Sequence, residues 1–295
     1  MDVGDCDRAK RKLSQIGYYR LSGFWYSCRE FEVDSDGQLA NDPLTKKPRR
    51  RDTFMPGTTL EGVLKLYRFD KNLRLVMLDA IERIEVHLRT VTAHELGRIE
   101  PVAHEDDRFI NPRYIRDYTD RKTGKRRNRW KDWHAEYARQ LDRCCEDCIL
   151  WHKQNHKTMP FWVVVESWSF GLTSRYYGLL KGRYQKLIAK RFDINNASLF
   201  GTWLCGINDF RNRCAHHSRI WNHTIKNPLP LLNSDPFLDH WILGSRPIQR
   251  LYGVAVVIAR LMATIGPNSQ WFKDFADLLE RKPDLPGCDF TGMGL

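Results

Sequence analysis

Residues 73–91 read LRLVMLDAIERIEVHLRTV. Apolar side chains recur in this stretch at intervals of three and four residues, a spacing that places them on one face of an α-helix. These positions are Leu73, Val76, Ala80, Ile81, Ile84, Leu88 and Val91. The stretch therefore predicts a long amphipathic helix. The helical pattern starts upstream, where Thr58 or Thr59 is a candidate N-cap.

Helical patterns occupy most of the remaining chain. They cover residues 130–156, 161–181 and 198–220, and a further apolar pattern runs from Ile248 to Met262. Glycines interrupt residues 10–31, and the turn signal Asp36-Gly37 is compatible with a small β-hairpin or loop within residues 31–57. Few other strand signals are present, so we expect an all-α, mostly helical bundle with helical and loop elaborations.

The chain of 295 residues corresponds to one large domain or two small ones. We expect three segments: an N-terminal helical and loop segment (1–57), a helical core (58–230) and a C-terminal helical extension packed on that core (231–295). The core carries a basic insertion at residues 108–131.

The composition favours an anionic partner over a neutral metabolite. Lys and Arg number 48 against 36 Asp and Glu, a net charge of +12. There is no run of 18 apolar residues, so a transmembrane helix is not expected. The first twelve residues contain many charged side chains and no apolar core, so a secretory signal is not expected either. The eight cysteines show no regular framework, and we expect reduced thiols in a cytoplasmic protein.

Two runs hold much of the positive charge. Residues 108–131 contain ten Lys or Arg and two Asp, and residues 46–51 contain five cations in six positions. The candidate phosphate contacts in these runs are Arg49, Arg50, Arg51, Arg126, Arg127 and Arg129. The aromatic residues Tyr114, Tyr118, Trp130 and Trp133 lie among the cations and are candidates for stacking on RNA bases. The alternative is that both runs are solvated loops.

Cys145, Cys148, His152 and His156 have zinc-ligand side chains at helical spacing, which raises the possibility of a metal site. A straight helix places the first and last about 16 Å apart, so the four cannot surround one ion. We therefore expect no metal site here, with the thiols buried and the histidines near solvent.

Residues 209–222 read DFRNRCAHHSRIWN and combine three arginines with two adjacent histidines. Metal-free RNA cleavage requires a base for the 2′-hydroxyl, an acid for the leaving 5′-oxygen and a cation for the phosphorane oxygens. Histidine suits the first two roles because its reference pKa is about 6.5. Arginine suits the third because its planar guanidinium matches phosphate.

Arg211-Asn212-x3-His216 resembles the RNxxxH signature of HEPN ribonucleases. The longer block from Arg211 to Asn222 is similar to one found in Abi-like abortive-infection proteins of bacteria. Further blocks resemble that family in order: Gly17 to Trp25, Pro56 to Thr59, Leu66 to Arg74, Ile81 to Thr90, Pro160 to Trp162 with Glu166, and Ser169 to Gly171. The resemblance covers about residues 10–225. Residues 119–131 and those after 230 match no block of the family.

The resemblance implies a HEPN-like helical fold and a homodimer in which the RNxxxH segments of two protomers face one another. We expect residues 204–222 to form one helix at that interface. The implied reaction is metal-independent endoribonucleolysis without a cofactor, leaving a 2′,3′-cyclic phosphate and a 5′-hydroxyl. His216 would be the acid and base, Arg211 the phosphate ligand and Asn212 the orienting residue; Asn212 could instead bridge two helices.

The resemblance also implies a phage-defence toxin, of a toxin–antitoxin type, that is controlled by or complexed with a structured non-coding RNA. Candidate RNA-binding residues in the family blocks are Tyr18, Tyr19, Arg20, Arg213, His217, Arg219, Trp221 and Asn222. The last four of these either position RNA or brace the motif. His217 is expected about 100° further around the helix from His216. A non-catalytic protein that binds a regulatory RNA is the alternative function.

Overall fold

The computed structural model describes residues 1–44, 46–231, 235–239 and 249–295. Its helices are α1 (Cys6–Ile16), α2 (Tyr18–Trp25), α3 (Leu60–Gly97), α4 (Pro112–Ile115), α5 (Arg129–Arg143), α6 (Asp147–Gln154), α7 (Phe161–Val164), α8 (Phe170–Leu179), α9 (Gly182–Lys190), α10 (Ala197–Ala215), α11 (Pro236–Asp239), α12 (Leu251–Ile265) and α13 (Trp271–Glu280). The strands are β1 (Arg29–Phe31), β2 (Arg50–Phe54), β3 (Tyr118–Thr119) and β4 (Arg126–Arg127). The predicted fold class, all-α and mostly helical, is confirmed.

Helix α3 is the central element of the fold. It begins after Thr59, whose side chain accepts a hydrogen bond from the Gly62 N–H at 3.0 Å. Its apolar positions are buried as the periodicity predicts, and Leu73, Ile84 and Leu88 have no exposed surface. Helices α2, α7, α8, α9, α10, α12 and α13 all pack against it. Most of the apolar core therefore forms around this single helix.

The N-terminal segment contains two short helices and a small sheet. Helices α1 and α2 are separated at Gly17, whose φ of 91° is accessible to glycine at little cost. Strands β1 and β2 pair in an antiparallel sheet with Arg29 opposite Phe54. The small hairpin considered for residues 31–57 is therefore present, and its first strand begins two residues earlier than that range.

Three local predictions were incomplete or wrong. The continuous helix over residues 130–156 is divided into α5 and α6, because residues 144–146 are not helical. Within the basic insertion, β3 and β4 form a second antiparallel pair with Tyr118 opposite Arg127. A helix at residues 182–190, where α9 lies, was also not predicted. Each of these differences concerns a short element or the boundary between two helices.

Helix α10 ends earlier than predicted. The expected helix over residues 198–220 stops at Ala215, and His216 is its C-cap. His217 follows with a φ of 57°, in the left-handed region. The buried face of α10 packs against α3 and α8. It consists of Phe200, Trp203, Leu204, Gly206, Ile207, Phe210 and Cys214. The expectation of one helix over residues 204–222 is consequently wrong.

The C-terminal region packs against the central helix through α12 and α13. Helix α12 covers the predicted apolar pattern from Leu251 to Met262, whereas Ile248 lies outside the described residues. Further on, the Cys288 and Cys28 sulfur atoms lie 3.6 Å apart in the interior. The boundaries of the three predicted segments stay a prediction. Across the described ranges, no helix is both long and apolar enough to cross a membrane.

Candidate functional site

The three residues of the RNxxxH signature lie together at the C-terminal end of α10. Asn212 lies in its last turn and Arg211 directly precedes that turn, and the His216 N–H donates to the Asn212 carbonyl at 2.9 Å. Asn212 and His216 are exposed, and the Arg211 side chain is 41% exposed. The three residues therefore lie within six consecutive positions at an accessible helix end, where Asn212 and His216 are four residues apart.

An open cavity of about 420 Å³ adjoins this helix end, and Arg211 and Asn212 form part of its wall. The other lining residues are Ser169, Phe170, Gly171, Ser174, Arg175, Cys205, Asn208 and Asp209. Gly171 permits the close approach of α8 to α10, because an added Cβ would lie 3.2 Å from the Asn208 Oδ1. The fold thus brings the Ser169-Phe170-Gly171 block beside the RNxxxH residues.

Glu85 of α3 lies behind Arg211. Its Oε2 is 3.9 Å from the Arg211 Nε, and its other oxygen is ion-paired with Arg89. The Glu85 side chain is only 10% exposed, so this carboxylate is fixed within the protein. Arg211 is therefore oriented by an acidic residue while part of its guanidinium remains accessible to a ligand. Sequence reasoning did not assign a role to Glu85.

The seven residues that follow α10, which we call the post-helix segment (216–222), are held by arginine side chains. Arg20 Nη1 donates to the His217 carbonyl at 2.9 Å, and Arg213 Nε donates to the Arg219 carbonyl at 2.8 Å. Arg74 Nη1 approaches the Ser218 carbonyl at 3.5 Å. These contacts provide hydrogen-bond donors for carbonyl groups of the segment itself, which lies outside the helix. They explain why the chain leaves helical geometry after Ala215.

Asp70 of α3 fixes the other half of the post-helix segment. Its Oδ1 accepts hydrogen bonds from the backbone N–H groups of Ile220 and Trp221, both at 2.8 Å. Its Oδ2 is ion-paired with Arg74. Burial raises the pKa of Asp70, and the two N–H donors and Arg74 oppose that rise. Asp70 is a positioning residue that sequence reasoning missed, since only the fold brings residues 70 and 220 together.

Trp221 and Asn222 brace the segment. The Trp221 side chain is 1% exposed, which leaves bracing as the role of its ring in this structure. Asn222 Nδ2 donates to Ser27 Oγ at 3.2 Å, and its Oδ1 accepts from Arg250 Nη1 at 3.0 Å. The sequence left positioning of RNA and bracing as equal alternatives for these two residues, and their contacts support bracing.

The remaining candidates in the family blocks lie nearer the surface. Tyr18, Tyr19 and Arg20 are exposed on α2, and Tyr19 is 89% exposed. His217 is exposed, but its left-handed backbone places it outside the helix. The expected rotation of about 100° between His216 and His217 is therefore wrong. The contact of Arg20 with the His217 carbonyl places these residues at one surface.

The basic run at residues 46–51 is partly structural. Arg50 is half-buried, donates to the Ser27 carbonyl at 2.9 Å and lies 3.9 Å from the centre of the Phe31 ring. Arg49 is exposed, and its Nε lies 3.5 Å from Glu32 Oε2. Arg51 is exposed on β2. Arg49 and Arg51 are thus better placed for a phosphate contact than Arg50.

The arginines of the basic insertion are exposed, and several of them contact neighbouring side chains. Arg126 pairs with Asp117 at 3.0 Å, and Arg127 pairs with Asp132 at 3.1 Å. Arg129 lies over the rings of Tyr114 and Tyr118, at 5.3 and 5.6 Å from their centres. The expectation that Trp130 and Trp133 stack on bases is wrong. Both rings are buried on the face of α5 that packs against α8.

The cysteine and histidine residues of the candidate metal site do not share one helix. Cys145 precedes α6, and His156 follows it with a φ of 49°. Cys145 and Cys148 are exposed, so the expectation of buried thiols is wrong. Of the residues described, no three with His, Cys, Asp or Glu side chains are grouped to hold a metal ion.

These features define a mostly helical protein with an arginine- and histidine-bearing helix end at its surface. Residues 11–222 match the family model described as Abi-like protein. Because the match spans more than half of the chain, the protein belongs to the Abi-like family. Membership of this family indicates a function in abortive infection. No curated protein sequence and no solved structure shows significant similarity to the chain.

Proposed function

We propose that the protein is a metal-independent endoribonuclease of the HEPN type that acts as a toxin in bacterial phage defence. The observation that carries this proposal is the accessible grouping of Arg211, Asn212 and His216 at the end of α10, next to an open cavity. The chain also has a net charge of +12, which favours RNA as the substrate.

In the proposed mechanism, His216 transfers protons at the ribose 2′-hydroxyl or at the leaving 5′-oxygen. Arg211 binds the scissile phosphate and stabilises the negative charge that develops on its oxygens. Glu85 limits the orientations of Arg211, and Asn212 orients the reacting groups. The products are a 2′,3′-cyclic phosphate and a 5′-hydroxyl, and no step requires a metal or a cofactor.

A second copy of the chain completes the proposed site. One protomer supplies a single His216, whereas general acid and base catalysis of both proton transfers uses two groups. The exposure of His216 and Asn212 is compatible with a homodimer in which two helix ends face one another. Light scattering of the active protein at the mass of one 34.8 kDa chain would contradict this arrangement.

The proposed RNA partner is a substrate, a structured non-coding RNA that controls the toxin, or both. The proposed contact residues in the basic runs are Arg49, Arg51, Arg126, Arg127 and Arg129, all of which are exposed. Tyr18, Tyr19, Arg20 and His217 extend this surface beside the post-helix segment. We propose a cytoplasmic location, where such an RNA would be encountered.

The alternative proposal is a non-catalytic protein that holds a regulatory RNA. One observation favours it: in the described structure, the His216 side chain makes no hydrogen bond that would fix its ring for proton transfer. Catalytic histidines are commonly oriented by a partner of the second ring nitrogen. Under this alternative, Arg211 binds an RNA phosphate without cleavage.

Cleavage of RNA in EDTA tests the main proposal. The wild type should cleave, whereas His216→Ala should lose about 10²- to 10⁴-fold in rate, the usual cost of removing a positioned acid or base. RNA binding by His216→Ala should stay within a few-fold of wild type. His217→Ala is the matched control, because His217 is also exposed and adjacent, and its loss of cleavage should be milder than that of His216→Ala. If His217→Ala is inactive and His216→Ala is active, His217 is the catalytic histidine and the assignment to His216 is wrong. Binding without cleavage by the wild type would support the alternative.

A further inference from the structure

The post-helix segment is surrounded by an excess of positive charge. Five arginines contact it or belong to it: Arg20, Arg74, Arg213, Arg219 and Arg250. Among the described side chains, one carboxylate, that of Asp70, accepts hydrogen bonds from the backbone of the same segment. Five guanidinium groups and one carboxylate leave an excess of four positive charges around seven residues.

Asp70 attracts Arg213 and Arg219 electrostatically, but it forms no direct ion pair with any of the four outer arginines. Its Oδ2 is ion-paired with Arg74, and its Oδ1 is occupied by two backbone N–H groups. Arg20, Arg213, Arg219 and Arg250, which we call the arginine cluster, form no ion pair within 4 Å with any carboxylate of the described residues. Each therefore keeps its full charge, whereas many other arginines in the protein are paired.

Partial burial makes this excess charge more costly. Arg213, Arg219 and Arg250 are half-buried, and burial lowers the pKa of both Arg213 and Arg219. The Arg219 guanidinium lies 6.0 Å from the centre of the Phe24 ring, with one side turned away from water. Like charges brought together in a partly desolvated place repel one another. An anion bound at this place would offset that repulsion.

His223 reports the positive potential at the same place. Burial is the main cause that lowers its pKa to about 4, and the positive charges of Arg213, Arg219 and Arg250 contribute to that lowering. Three members of the cluster therefore act on one imidazole, although they come from α10, the post-helix segment and the start of α12. The neutral ring is an additional hydrogen-bonding group beside the cations.

We propose that the arginine cluster is a phosphate-binding site that holds a backbone phosphate of the RNA next to the scissile bond. Guanidinium groups bind phosphate through paired N–H donors, and Arg20, Arg213 and Arg250 each use one N–H in the contacts described above. The site adjoins His216 through the same seven residues. That the phosphate belongs to RNA rests on the proposed function. That the cluster binds a phosphate group is independent of the proposed function.

Titration of His223 by NMR tests the site without any cleavage assay, with His223→Gln used to assign the signal. A bound phosphate neutralises the nearby cations and favours the imidazolium, so the pKa of His223 should rise from about 4 toward its ordinary value. The two probes are inorganic phosphate and a 2′-O-methyl oligonucleotide, each compared with sodium chloride at equal ionic strength. A rise in the His223 pKa with micromolar oligonucleotide identifies an RNA backbone phosphate as the ligand. A rise with millimolar inorganic phosphate alone identifies a free phosphate as the ligand and overturns the assignment to RNA.

Two variants connect the response to the cluster. Arg20→Gln and Arg250→Gln keep an N–H donor for their present acceptors but remove the charge, and each should weaken oligonucleotide binding about tenfold, the equivalent of about 1.4 kcal/mol. Arg83→Gln is the control for the loss of one positive charge, because Arg83 is an exposed arginine of α3 outside the cluster that donates to Ser269 Oγ at 2.8 Å and pairs with Asp79 at 3.0 Å. An equal loss in all three variants would show only a general charge effect and overturn the site.

The outcome separates the two proposals. If the wild type does not cleave RNA but His223 responds to the oligonucleotide, the phosphate site stands and the ribonuclease proposal fails. If the wild type cleaves RNA and His223 responds to neither probe, the ribonuclease proposal stands and the phosphate site is wrong.

Discussion

Asp70 and Trp221 are 151 residues apart in sequence, and the Trp221 N–H donates to Asp70 Oδ1 at 2.8 Å. The same oxygen accepts from Ile220, and the other oxygen is paired with Arg74. One buried carboxylate thus joins the central helix to the segment that follows the RNxxxH residues. This contact explains a helix end that the local sequence does not show.

We expect Asp70→Ala to destabilise the protein by about 3–5 kcal/mol, because it leaves the buried Arg74 charge and two N–H groups without a partner. Asp70→Asn should cost less, since its amide oxygen can still accept from Ile220 and Trp221. Denaturation in urea measures both effects. Asp79→Ala, at an exposed carboxylate paired with Arg83 on the same helix, is the control and should cost less than about 1 kcal/mol. Equal losses at Asp70 and Asp79 would contradict the assigned role.

Glu85→Gln should strengthen RNA binding at low salt by about two- to fivefold, because it removes a negative charge near Arg211 that competes with phosphate. Filter binding at two salt concentrations measures the change. The control is Glu82→Gln, an exposed carboxylate on the same helix. If both variants bind alike, the Glu85 charge does not act on the Arg211 ligand site.

Replacing Arg126, Arg127 and Arg129 with Ala should weaken RNA binding almost equally for all RNA sequences. The slope of log K against log salt should shrink by about 0.7 to 0.9 for each phosphate that these arginines neutralise in the wild type. A variant with Lys186, Lys190 and Lys273 replaced by Ala removes the same charge at other exposed positions and is the control. An unchanged slope in the first variant would show that the insertion is only a solvated surface.

Burial, with a smaller contribution from His134, lowers the pKa of His104 to about 4. Neither ring nitrogen of His104 has a hydrogen-bond partner within the described structure. The unfolded chain binds a proton near pH 6.5 and the folded chain does not, so stability should fall as the pH decreases from 6.5 to 4. The expected slope is about 1 kcal/mol per pH unit. His104→Phe should reduce the measured slope by about this amount in urea titrations and leave the contribution of His223, whereas exposed His94→Phe should leave the slope unchanged.

The fold class could be predicted, and the candidate site residues could be placed near one another in the chain, because both depend on local patterns. The apolar positions of α3 repeat along one helix face, and Arg211, Asn212 and His216 lie within two turns of one helix. The end of α10 could not be predicted, because Ile220 and Trp221 continue an apolar spacing while Asp70 holds their backbone out of the helix. Long-range contacts decided this element.

The same limit applies to the surroundings of the site. Glu85, Ser169 and Arg175 reach the RNxxxH residues only through the packing of α3 and α8 against α10. The prediction for Trp130 and Trp133 was wrong for a related reason. Their sequence neighbours are cations, but the helical face that carries both rings is turned toward α8. The cations in the sequence indicate which side of α5 is exposed, but they do not show that the two tryptophans lie on the opposite, buried side.

The residues that hold the post-helix segment lie far apart in the sequence, and their positions set the order in which a growing chain can form these contacts. Asp70 and Arg20 leave the ribosome long before residues 216–222, and Arg250 leaves after them. Contacts between residues so far apart cannot form until the later partner has emerged. A nascent chain that ends before Arg250 therefore carries the whole RNxxxH signature without its full support. Synthesis itself would delay completion of the site until most of the polypeptide has been made.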